Sequence, residues 1–129
     1  MQVIGIDHVV LRVRNLERMI DFYEGVLGCR VDHRQDALGL VHLRAGSSLI
    51  DLVDVDGPLG RARGPVDPNS PNMDHLCLRV AGFDVDRVRR ELEAQGVEIG
   101  ETGSRYGASG EGMSLYLRDP EGNGLEIRG

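Results

Sequence analysis

The chain has 129 residues, enough for one compact domain with a real core, and carries a net charge of −6 at a pI near 5.1. That acidity disfavours nucleic acid and anionic membrane surfaces as partners, and no apolar run approaches the ~20 residues that a spanning helix needs. Every one of the 15 basic residues is arginine, which excludes Schiff-base chemistry and a lysine-bearing phosphate loop.

Residues 3–13 alternate and are rich in Val, Ile and Leu, which predicts a strand. On it His8, Val10 and Arg12 share one face, and Asp7, Val9, Leu11 and Val13 the other. Asn15 is a fitting N-cap for a helix to about Leu27, with Leu16, Met19, Ile20, Tyr23 and Leu27 as its apolar stripe and Gly28 as its stop. Strands are expected near 29–34, 38–44 and 48–54. Residues 55–72 read as a linker, because Pro58, Pro65, Pro68 and Pro71 fall there with Gly57, Gly60 and Gly64. It is long for a structureless loop, which suggests that it covers a site or crosses to a partner subunit. A strand over 73–80 follows, then a helix over 84–95 from Asp84 to Gly96 showing Val85, Val88 and Leu92. Strands are expected near 97–101, 112–118 and 124–128. Residues 104–110 read as a flexible polar loop, and Asp119-Pro120-Glu121-Gly122 as a turn.

The two halves repeat one phrase. Ile6-Asp7-His8-Val9-Val10-Leu11-Arg12-Val13 answers Met73-Asp74-His75-Leu76-Cys77-Leu78-Arg79-Val80, with Asp, His, Leu, Arg and Val shared. More loosely, Val41-His42-Leu43-Arg44 matches Leu115-Tyr116-Leu117-Arg118, and Leu49-Ile50-Asp51-Leu52 matches Gly124-Leu125-Glu126-Ile127. The fold expected is therefore α+β: two tandem βαβββ modules, 1–54 and 73–129, curling a mixed sheet into a cup around a metal site. It forms a single domain, since ~60 residues make a marginal unit alone.

Each module then offers one histidine and one carboxylate on the face away from its helix: His8 with Asp51, and His75 with Glu126. Two imidazoles and one or two carboxylates suit a divalent first-row metal, and three or four protein ligands leave positions open for catalysis. The alternative for a strand histidine is a hydrogen-bonded structural residue. For Asp51 it is a surface aspartate beside Asp54 and Asp56. His33 and His42 read as surface or wall residues. Arg12 and Arg79, also repeat mates, anchor an anionic substrate, pair with site carboxylates, or are simply exposed strand-end arginines, and Tyr106 is a candidate substrate contact. Cys29 and Cys77 make no metal or redox motif, and the amino-terminal segment does not read as a signal peptide, so a reduced cytoplasmic protein is expected.

Several pieces together resemble the vicinal oxygen chelate superfamily of glyoxalase I, fosfomycin-resistance enzymes, extradiol dioxygenases and bleomycin-resistance proteins. They are Ile6-Asp7-His8-Val9-Val10-Leu11, Phe22-Tyr23 before Val26-Leu27-Gly28, Asp74-His75-Leu76, and Leu117-Arg118-Asp119-Pro120-Glu121-Gly122-Asn123 ending in Leu125-Glu126-Ile127. The resemblance is nearest to glyoxalase-domain proteins of unassigned substrate. It implies a cup around a metal (Ni, Co, Zn, Mn or Fe) and carries over His8, His75 and Glu126 as ligands. Asp51 stands where glyoxalase I enzymes place a glutamate. The resemblance also implies a homodimer acting on a small molecule, with glutathione or another thiol as a cosubstrate in the glyoxalase case. The reaction it implies is a lyase or isomerase step that chelates vicinal oxygens and stabilises an enediolate, with Glu126 and Asp51 moving protons. Alternatives are an iron-dependent extradiol-type dioxygenase and a non-catalytic drug- or toxin-binding resistance protein. Val10 stands where thiol-transferring fosfomycin enzymes have threonine, which argues against that chemistry.

Overall fold

The computed structural model describes residues 2, 5–67, 69–70 and 72–129, so Val3, Ile4, Pro68 and Pro71 of the expected strand and linker lie outside the described residues. By contacts the chain divides into two compact units, residues 1–72 and 73–129.

The first unit runs β1 (His8–Val13), α1 (Leu16–Gly25), β2 (Arg30–Gln35), β3 (Leu40–Ala45), β4 (Ser48–Asp54) and a single helical turn, α2 (Pro58–Arg61). Its four strands form one mixed sheet in the order β1-β4-β3-β2, with β1 parallel to β4 and the other pairs antiparallel. The parallel pair needs a crossover, and α1 lies within it. The Asn15 side chain accepts from the Arg18 amide at 3.1 Å and so satisfies one of the free N–H groups of the first turn. Met19, Ile20 and Tyr23 bury one stripe of α1, and alternate strand residues (Leu11, Val13, Val41, Leu43, Ile50, Leu52) are buried with them.

The second unit repeats this plan with β5 (His75–Arg79), α3 (Val85–Ala94), β6 (Ile99–Gly107), β7 (Gly110–Arg118) and β8 (Gly124–Arg128). The order is β5-β8-β7-β6, and β5 is parallel to β8. Asp84 caps α3 through the Arg87 amide at 2.8 Å. Val88 and Leu92 are buried, as are Leu115, Leu117, Leu125 and Ile127.

Two expectations change, and the linker gains structure. Among the described residues of the strand expected over 3–13, pairing begins at His8 rather than at Gly5, because β1 pairs only as far as β4 extends: Asp7 carbonyl accepts from Leu49 at 2.9 Å and Ile6 carbonyl from Ser48, where β4 starts. The expected loop 104–110 is a hairpin, with β6 and β7 paired out to Gly107↔Gly110 and Ser104 donating to Glu111 at 2.8 Å across it. The linker is not structureless: Pro58 starts α2, and Arg12 donates to the carbonyls of Gly60 and Gly64.

Candidate functional site

Strand register makes the two halves equivalent at the residue level. In the first unit Val10 lies opposite Asp51 on the parallel pair; in the second Cys77 lies opposite Glu126. Each carboxylate is therefore beside the residue two positions after its histidine, and on the same face, since side chains alternate. His8 and His75 each open the first strand of their unit. Asp51 is 5% exposed and Glu126 6%. Burial removes the surface-aspartate reading of Asp51.

Buried carboxylates need partners. Ser114 donates to Glu126 Oε1, and the Tyr116 hydroxyl donates to Oε2 at 3.1 Å. Burial alone would raise the Glu126 pKa. The hydrogen bonds from Ser114 and Tyr116, with the nearby charges of His75 and Arg128, more than offset it and hold the carboxyl below its usual value. Tyr116 moves the other way, pushed up by burial and by Glu126. The Cys77 thiol is likewise raised, by burial and by Glu126. Asp51 Oδ1 accepts from His42 Nδ1 at 2.7 Å, and His42 Nε2 accepts from the Gln35 amide at 3.0 Å. His42 is thus satisfied on both nitrogens as a neutral imidazole. Its ring stacks on His33, centroids 5.8 Å apart.

His75 differs. Its Nδ1 lies 2.6 Å from Asp74 Oδ1, and its Nε2 lies 3.3 Å from Glu126 Oε2. A carboxylate only accepts, so Nδ1 carries the proton. In a neutral ring Nε2 is then a lone pair facing a second carboxylate, an arrangement that holds only with positive charge between them: a proton, or a metal cation. His8 has the same neighbour, with Nδ1 at 2.7 Å from Asp7 Oδ1, and that hydrogen bond followed by the field of Asp51 raises its pKa. Metal-bound histidines characteristically give their second N–H to a carboxylate. Each Asp-His pair supplies that partner from the adjacent residue. The donors present therefore suit a divalent metal. Within each unit they number two: among the described residues no group of three or more His, Cys, Asp or Glu is gathered tightly enough to hold a metal.

The remaining expected contacts fare differently. Arg12 is tied to the α2 segment and to Asn72, its amide 3.2 Å from that side chain, so it braces the chain after β4. Arg79 is exposed on β5, and Tyr106 is 82% exposed at the hairpin end. The sequence reading missed His42, Ser114, Tyr116 and Arg128. The signal for two of them was present, because the repeat aligns His42 with Tyr116, and the register confirms it: His42↔Asp51 and Tyr116↔Glu126.

Residues 5–127 match the Glyoxalase/Bleomycin resistance protein/Dioxygenase superfamily. The chain belongs to this superfamily. It is 35% identical to the virulence protein STM3117 of Salmonella typhimurium over 95% of this chain and 81% of that one. The solved structure of STM3117 superposes with a TM-score of 0.80 over 99% of this chain and 98% of that one. The chain is also 27% identical to the glutathione transferase FosA of Serratia marcescens, over 95% of this chain and 79% of that protein. The lactoylglutathione lyase structure from Agrobacterium tumefaciens shares the fold at a TM-score of 0.70 and 23% identity, covering 96% and 92% of the two chains. Among the described residues no helix is long and apolar enough to cross a membrane.

Proposed function

We propose that this chain is a metal-dependent lyase or isomerase of glyoxalase type, acting on a small substrate with two adjacent oxygens. The observation that carries this reading is His75 Nε2 facing Glu126 Oε2 at 3.3 Å with Nδ1 already committed to Asp74. The second histidine–carboxylate pair, at the equivalent register in the first unit, supports it, as does likeness to relatives named for glutathione chemistry. The ligands assigned are His8, His75 and Glu126, with Asp51 as the fourth candidate. A divalent metal held there would supply Lewis acidity to the substrate's paired oxygens.

The protein groups do the proton work. Glu126 is ionised, and its Oε2 accepts a proton from the carbon beside the paired oxygens. Tyr116 and Ser114 keep that carboxylate in place before and after it takes the proton. Asp51, oriented by His42, serves the opposite transfer: it takes the proton of the substrate's hydroxyl and delivers it to the neighbouring carbon, while the proton held by Glu126 passes to the second oxygen. Val10 brings no hydroxyl beside His8, which separates this reading from the thiol transfer of the FosA kind. As in the resemblance, the working protein is a homodimer in the cytoplasm.

Metal content of untagged protein, measured by mass spectrometry beside a His8→Ala/His75→Ala double variant, tests the reading. The expected result is bound Ni, Co, Zn or Mn that the variant loses. Iron would redirect the assignment to dioxygenase chemistry. A protein that stays empty after incubation with each metal would overturn the enzymatic reading. Glu126→Gln is expected to abolish exchange of the substrate proton with solvent, assayed first on a 2-oxoaldehyde–glutathione hemithioacetal; full activity in that variant would refute the base assignment.

A further inference from the structure

We infer that Arg128 is an oxyanion receptor on the Glu126 face of the second unit, so that the substrate carries a carboxylate or phosphate-like group. This deepens the proposed function and rests on its placing of the substrate at Glu126. Arg128 follows Glu126 by two residues on β8 and so projects to the same side of the sheet. Ser114, whose hydroxyl reaches Glu126, stands directly opposite Arg128 in register.

Arg128 is 5% exposed, yet it makes no ion pair among the described residues. Its only hydrogen-bond acceptor there is the Gly110 carbonyl, 2.8 Å from Nη2. A guanidinium has five N–H donors in a fork that matches an oxyanion, and a buried one is ordinarily paired. Glu126, whose carboxyl feels the charge of Arg128, is already engaged by Ser114, Tyr116 and His75.

The strands around it are cut to admit the guanidinium. A Cβ at Gly107 would lie 2.0 Å from Nη1, and one at Gly112 would lie 3.0 Å from Nη2. Glycines weaken a strand, and in one they commonly mark a close approach. Further cations flank the position: Arg79 lies opposite Arg128 on β5, and Arg105 sits over the Tyr116 ring, 5.6 Å from its centroid. Arg105 is engaged by Glu101.

The repeat argues against a purely structural role. Arg79↔Arg128 corresponds to Arg12↔Val53 in the first unit, and Val53 is 1% exposed. The same fold closes over valine at this place, so the fold does not require the charge.

The test is titration of metal-free protein with sodium acetate and with inorganic phosphate at constant ionic strength. The arginine Nε–Hε signals are followed by NMR, and Arg128 is assigned by its loss in Arg128→Lys. The expected result is a saturable shift of the Arg128 signal, with the tighter anion identifying the substrate group. Gly107→Ala keeps every charge and puts a methyl where Nη1 sits; it should weaken the anion by about tenfold or more. Shifts that rise without saturation, or unchanged affinity in Gly107→Ala, would overturn the inference. Should a variant not fold, the Arg128 signal, assigned by through-bond spectra of the parent protein, decides alone. Anion saturation in a protein that takes up no metal would sink the metal reading and leave Arg128 standing; metal uptake without saturation would do the reverse.

Discussion

The residue that does most for each histidine is the one before it. Asp7 precedes β1 and Asp74 precedes β5, so neither is bound to the strand's alternation, and each turns back onto its own neighbour's Nδ1. The Asp7 hydrogen bond is the largest cause of the raised His8 pKa. Asp7→Asn should bring His8 back towards the ordinary value of 6.5, as read from an NMR titration of the ring Cε1–H signal. The sign follows from linkage. A raised histidine contributes stability that is complete below 6.5 and lost as pH rises through the folded value, so the variant should flatten that part of a pH–stability curve. Asp7→Asn and Asp74→Asn should each cut metal affinity by about 10- to 100-fold by calorimetry. Glu126 has the opposite sign. Its lowered pKa contributes stability above 4.5 that is lost as pH falls through the folded value, and Ser114→Ala should shrink that loss, measured by thermal melts on acidification. At this scale His8, His75 and Glu126 were legible as a pattern because the repeat sets them in matching phrases. The hydroxyls that hold Glu126 were not, since Ser114 and Tyr116 belong to a strand whose register with β8 no local pattern states.

Helices were the most legible elements. Both show an apolar stripe, a capping side chain and a terminal glycine, and both form within two residues of the expected bounds. Asn15→Ala and Asp84→Ala should each cost about 1 kcal/mol in denaturant unfolding, since each leaves a helix amide without its acceptor. The β6–β7 hairpin was illegible for a physical reason. Its Gly107 and Gly110 read as loop, whereas Gly107 makes room for the Arg128 guanidinium and the Gly110 carbonyl accepts from it, contacts far away in sequence. Close approach also governs the start of β8. A Cβ at Gly124 would lie 2.4 Å from the Asp74 carbonyl and 3.1 Å from His75 Cβ. Gly124→Ala should therefore force β5 away from β8 and weaken metal binding far more than an alanine elsewhere on β8, as calorimetry would show.

At the scale of the whole molecule, the duplicated plan is the main fact. Both units use the same strand order, with the first strand hydrogen-bonded to the last. The repeat made the duplication into βαβββ modules readable, because a histidine phrase and a carboxylate phrase recur in the same order; the pairing of first strand with last was not, since no local pattern states it. The pairing of first with last strand also dictates when the donors meet during folding. His8 and Asp51 come from opposite ends of one unit's chain, and His75 and Glu126 from opposite ends of the other's. Closing such long loops is entropically costly and follows local structure. A nascent or partly folded unit that has made its helix and hairpins, but not yet joined its outer strands, holds imidazole and carboxylate apart. Under the proposed metal assignment, capture of the ion would report completion of the fold, and a partly folded chain would not sequester it.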